Sequence, residues 1–138
     1  MQHDTQPRRQ PNFSMHRRAG DLVFVSGQMA FGEGFRIVGD DVTAQTRTCL
    51  EHIARHLADA GLAPRDIVKT TVWLARIEDF AAFDAAYGAF FGDIVLPARS
   101  TVRADLMVPG ALVEIEAIAR AAGNTHIPAS QPPSEPRP

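Results

Sequence analysis

Between Asp40 and Ala119 the apolar residues switch from a helical rhythm to a strand rhythm, back to helical and again to strand, an order that few architectures accept. Val42, Cys49, Leu50, Ile53, Leu57 and Ala60 recur at the spacing of one helix face. Asp40, Asp41 and Thr43 offer N-cap oxygens ahead of that face, and Gly61 suits the left-handed position behind it. The β-branched stretch 67–75 (IVKTTVWLA) predicts a strand. A second helix is expected from about Asp79, with Phe80, Phe83, Tyr87, Phe90 and Phe91 stacked on one side. Strands over 99–106 and 112–119 follow, joined through the turn pair Pro109-Gly110.

Upstream, the apolar run Leu22-Val23-Phe24-Val25 between Gly20-Asp21 and Gly27 reads as a strand buried on both faces. Gly32-Glu33-Gly34 reads as a turn into a short partner strand over 35–38. Two helices on one face of a mixed sheet make an α+β layer fold. The last strand carries Val113, Ile115, Ala117 and Ala119 on the helix side, with Leu112, Glu114, Glu116 and Ile118 opposite. A face that mixes apolar residues with carboxylates, and that its own chain leaves open, predicts a homo-oligomer.

The 138 residues suit one domain, and 45% hydrophobic with 22% charged content excludes disorder along the whole length. Fourteen Lys and Arg against sixteen Asp and Glu give a net charge of −2, which argues against nucleic acid or an anionic membrane as the main partner. A single cysteine, Cys49, excludes an internal disulfide and a thiol zinc site. The opening MQHDTQPRRQ does not read as a secretory signal, so a soluble cytoplasmic protein is expected. Residues 1–12, with Arg8 and Arg9, are expected to form a flexible arm, 13–122 the single folded domain, and 123–138 a disordered tail. That tail holds Pro128, Pro132, Pro133, Pro136 and Pro138, half of the 10 prolines.

The most unusual arrangement lies in Pro97-Ala98-Arg99-Ser100 and the strand after it. An arginine at a strand start offers a fork of donors for a bidentate grip on a carboxylate. A glutamate of the last strand, within reach of the bound molecule, can orient or deprotonate a water. If the last two strands form a hairpin, Glu114 lies opposite Ala104, roughly 16 Å along the strand from Arg99. The two groups can then share a small molecule only across a subunit interface. The bland alternative is an interfacial ion-pair network with no ligand.

These residues resemble the RidA/YjgF family. The likeness rests on Gly20-Asp21-Leu22-Val23-Phe24-Val25-Ser26-Gly27-Gln28, on Asp66 to Val72, on Asp79-Phe80 with Tyr87 and Phe90-Phe91, and on PARS followed by Val113 to Ala119. It implies a chorismate-mutase-like fold, a mixed sheet of the six-stranded type with two helices on one face, and a homotrimer with ligand clefts between subunits. Family members of known activity hydrolyse reactive 2-imino or enamine acids to 2-oxo acids and ammonia, with no cofactor and no metal. By this resemblance Arg99 binds the substrate carboxylate, Glu114 positions the attacking water, and Ser26, Gly27 and Gln28 line the cleft. Three positions depart from the deaminase pattern: Phe13 stands for a tyrosine, Thr101 for a cysteine and Asp84 for an asparagine. Should Asp84 reach the cleft, its charge would disfavour dianionic substrates or favour an amino-bearing one. The rival readings are a trimer that binds a carboxylate metabolite without turning it over and, more distantly, an RNA-cleaving or chaperone-like role.

The remaining signals favour structure over chemistry. His52 and His56 are expected on a solvated helix face with no third metal ligand. Cys49 is expected as a buried, inert thiol, and Tyr87 with its hydroxyl on a local partner. Lys69 has no electrophile to meet, and Trp73 is expected to pack on a strand face shared with Ile67 and Thr71.

Overall fold

The computed structural model describes residues 11–122. The expected tail over 123–138 and all but the last two residues of the expected arm lie outside this range. Strands β1 (His16–Ala19) and β2 (Leu22–Gln28) form a hairpin across Gly20-Asp21, where Gly20 has φ +60°. A positive φ at the first central position is what a tight hairpin turn asks for. The polar β1 had no signature of its own in the sequence; only the turn after it did.

Helix α1 (Val42–Asp59) begins where Asp41 Oδ1 accepts the Ala44 amide at 2.8 Å, and Gly61 beyond its end has φ +77°. Then come β3 (Ile67–Leu74), α2 (Phe80–Phe91), β4 (Ala98–Arg103) and β5 (Val113–Arg120). The strands form one sheet in the order β1-β2-β5-β3-β4, antiparallel except for the parallel pair β3–β4. Val23, Val25, Val72, Leu74, Val113 and Ile115 on one sheet face meet Leu50, Ile53 and Leu57 of α1 and Phe83, Tyr87 and Phe91 of α2. Cys49 is fully buried in this core, and burial pushes its thiol up, which keeps it protonated and inert. No helix among the described residues is long and apolar enough to cross a membrane.

Five expectations are corrected. The sheet has five strands among the described residues, not six. Residues 35–38 do not form a strand: Glu33–Phe35 is a 3-10 turn, and only the single bridge Phe31–Ile37 pairs there. The predicted hairpin of the last two strands does not exist either. β5 inserts between β2 and β3, while β4 takes the outer edge of β3, so Pro109-Gly110 belongs to a crossover. Nor is the 22–25 run buried on both faces, because Leu22 and Phe24 point to the uncovered side. Finally, a bulge at Val68 turns Ile67 to the helix face, so Trp73 shares its own face with Lys69 and Thr71 instead.

That uncovered face carries Leu22, Phe24, Trp73, Val102 and Ile118 together with Glu114 and Glu116, the apolar and acidic mixture expected from the sequence.

Candidate functional site

The first half of the site forms where β2 slips against β5. Their register shifts between Val25 and Gln28, which lifts Ser26 and Gly27 out of the regular ladder. The Glu114 carboxylate rests directly on Gly27. A Cβ at Gly27 would stand 2.2 Å from Glu114 Oε1, so glycine is what lets the acid lie there. Burial, with a smaller contribution from the Glu116 charge, raises the Glu114 pKa above the ordinary 4.5. Ser26 ties the preceding segment in place: its hydroxyl donates to Ser14 O at 2.6 Å and its amide to Met15 O at 2.9 Å. Phe13, Gly27 and Gln28 then line a groove of about 400 Å³ with Met15, Phe31 and Phe35. A wider groove of about 930 Å³ continues from it past His52 and His56.

The two histidines therefore do not sit on a solvated face. His52 Nε2 lies 2.7 Å from Phe31 O, and its Nδ1 faces the Arg55 guanidinium. Arginine only donates, so Nδ1 accepts and Nε2 carries the hydrogen. His56 is held below its ordinary pKa by burial and by His16, whose ring centroid is 6.3 Å away. No third metal-ligating side chain joins them among the described residues.

The second half of the site lies at the sheet edge. Arg99 pairs in register with Thr70, so its side chain turns to the helix face and runs under α2. Its guanidinium carbon is 4.7 Å from the Tyr87 ring centroid, 5.2 Å from Phe83 and 5.9 Å from Phe80, distances at which a cation is attracted to an aromatic face. Arg99 Nη1 is 2.8 Å from Asp84 Oδ1. The added charge of Asp84 thus lies against the arginine. Tyr87 shares a 2.7 Å hydrogen bond with buried Thr70, the local partner expected for its hydroxyl. Thr101, two residues on from Arg99, faces a small recess with Leu74, Ile77 and Phe80, and its buried hydroxyl has no partner among the described residues.

One chain does not bring the halves together. Arg99 and Ala117 both pair with Thr70, which places Glu114 three residues along and two strands across from Arg99. The Cα atoms are then about 14 Å apart, with the two side chains on opposite faces of the sheet. The separation inferred from the sequence stands, although the hairpin that suggested it does not. Met15, Phe31 and Phe35 were missed as groove residues. A signal existed for Phe35, which follows Gly34 and itself has φ +58°, an uncommon conformation for an aromatic residue.

Comparison with known proteins agrees with this picture. A family model described as Endoribonuclease L-PSP matches residues 4–121. A 2-iminobutanoate/2-iminopropanoate deaminase of Salmonella typhimurium is 41% identical over 102 residues, covering 72% of this chain and 80% of that protein. The crystal structure of E. coli YjgF superposes with a TM-score of 0.73 at 36% identity, over 78% of this chain and 87% of that one. E. coli TdcF, solved with bound serine, gives 0.76 at 32% identity, over 83% and 91%. With its five-stranded α+β sheet, its PARS arginine and its acid-bearing last strand, the chain belongs to the RidA/YjgF family.

Proposed function

We propose that the protein hydrolyses small reactive 2-imino or enamine acids to 2-oxo acids and ammonia, at clefts between the subunits of a homotrimer. The observation that carries this reading is Glu114, a half-buried acid seated on a glycine, with its pKa raised and no salt bridge among the described residues. The carboxylate of such an acid is a stronger base than that of a solvated glutamate. Support comes from the Salmonella relative, whose name is that of an imine deaminase.

In this mechanism Arg99 of one subunit grips the substrate carboxylate, and Glu114 of the next aims a water at the imine carbon. A protonated C=N bond is already electrophilic, so neither metal nor covalent nucleophile is needed, and an enamine enters after tautomerising to the imine. The water oxygen bonds to carbon while the C=N π pair moves to nitrogen, and the water's proton passes to Glu114. The carbinolamine nitrogen next takes that proton back from Glu114, the hydroxyl proton passes to the freed carboxylate as the C=O bond forms and the C–N bond breaks, and the departing ammonia carries that proton away as ammonium. Catalysis consists of orientation and exclusion of bulk water. Phe13 makes the cleft more apolar on the groove side, where it supplies no hydroxyl.

The test uses an amino-acid oxidase to generate the imine and semicarbazide to trap what remains. The wild-type protein is expected to accelerate imine loss, and Arg99→Ala and Glu114→Gln to abolish the acceleration. Equal acceleration by Arg99→Ala and wild type overturns the assignment. Saturable binding of a 2-oxo acid with no acceleration by the wild type would make the protein a carboxylate binder instead.

A further inference from the structure

We infer that Asp84 makes the site selective for ligands whose carboxylate neighbours a cationic nitrogen, so that it holds a protonated imino acid more tightly than the 2-oxo acid it becomes. This rests on Arg99 being the carboxylate anchor.

The geometry is that of a charge pair at a mouth. Arg99 Nη1 and Asp84 Oδ1 are 2.8 Å apart, and the side chains are 22% and 52% exposed. A ligand that reaches the guanidinium therefore meets the aspartate as well. Phe80, Phe83 and Tyr87 lie against the guanidinium, so the arginine cannot swing far from its partner to escape it. Asp84 occupies a single Nη1 contact, which leaves other guanidinium donors and the second aspartate oxygen for a ligand.

The pair is close to neutral as a whole, so a simple anion gains little net attraction from it. A 2-oxo acid fares worse than that, because its carbonyl oxygen and Asp84 are both acceptors. A zwitterion places its carboxylate on Arg99 and its N–H on Asp84, satisfying both. Discrimination of this kind works through the repulsive element as much as the attractive one. The consequence for turnover is directional: hydrolysis removes the nitrogen that Asp84 holds, which weakens the grip on the product and favours its release.

Alanine and pyruvate, which share a skeleton and differ in this nitrogen, are stable probes for calorimetric titration against the full-length protein. Wild type is expected to bind alanine more tightly than pyruvate. In Asp84→Asn, and equally in Asp84→Ser, pyruvate gains and alanine loses, shifting the ratio of dissociation constants about tenfold. Asp84 is half-exposed on α2, so both variants are expected to unfold at the wild-type temperature. Should the ratio stay within about twofold in both variants while Arg99→Ala loses both ligands, the selectivity is refuted and the anchor stands. Retention of both ligands by Arg99→Ala, or binding of neither by wild type, overturns the anchor and the inference with it.

Discussion

Gly27 is the residue on which the site's acid depends. Its φ is not in the left-handed region, so alanine is tolerated by the backbone, and the nearest obstacle is the Glu114 carboxylate 2.2 Å from the new methyl. That obstacle is the end of a flexible side chain, so it moves rather than the strand. Gly27→Ala should therefore unfold within a few degrees of wild type while losing activity by roughly 10- to 100-fold, as displacement of the proposed base demands. Thermal unfolding and the imine-trapping assay together check the split; a large loss of stability would show that the backbone gave way instead. The same acid sets a pH dependence. Its folded pKa lies above the ordinary 4.5, so the stabilising preference for the protonated form is fully present below that value and is lost as pH rises through the raised one. In the proposed mechanism activity runs the other way, because there the carboxylate is the form that takes the water's proton. The acid limb of the rate profile should lie at higher pH than a solvated glutamate gives and should vanish in Glu114→Gln. At this scale the sequence was informative where chemistry dictates residue type, as with Arg99, Glu114 and Asp84. It was silent where space decides, since nothing in SGQ says that a methyl group would strike an acid on a neighbouring strand.

The elements divide along the same line between local and distant causes. Both helices were legible, because caps and 3.6-residue periodicity act within a few residues of each other. Strand order was not, because pairing is decided by contacts far apart in sequence, and a Pro-Gly turn between two strand-like runs looks the same whether or not those runs pair. What turns β5 back into the middle of the sheet is in part Gln45, which is buried in α1. Its amide nitrogen donates to Gly39 O and Gly110 O, both at 3.0 Å, and its oxygen accepts the Leu112 amide at 2.8 Å. One side chain thus fastens two loops to the helix just before β5 begins. Gln45→Ala leaves a buried N–H and two carbonyls without partners, and a loss of about 3 kcal/mol is expected in urea unfolding. A glutamine reads as surface in any composition argument, which is why periodicity passed over it. Tyr87→Phe is the milder counterpart. It orphans the Thr70 hydroxyl between α2 and β3 and should cost about 1–2 kcal/mol, with the aromatic support of Arg99 retained.

At the scale of the molecule, the sheet covers one face with helices and leaves the other bare, and the two halves of the site lie on opposite sides of it. Leu22, Phe24 and Val102 are 36%, 42% and 51% exposed on the bare side, interleaved with acids, which suits burial against another copy better than contact with water. Glutamate at Phe24 or Val102 should then reduce the sedimenting species to a monomer that keeps its circular dichroism, with activity falling in the same concentration range. A sharper experiment uses the separation itself. In the proposed shared cleft, Arg99→Ala and Glu114→Gln each destroy one half of every site, so each protein alone should be inactive. Subunits mixed after gentle dissociation re-associate at random, and a cleft is whole when its arginine comes from a Glu114→Gln chain and its acid from an Arg99→Ala chain. Each condition is met half the time, so about a quarter of wild-type activity should return in a closed cyclic assembly. A site contained within one chain has no such route, because every chain in the mixture carries a defect. Absence of recovered activity, with mixed oligomers demonstrated by mass, would place the arginine and the acid in separate pockets and remove the shared cleft on which the hydrolysis depends.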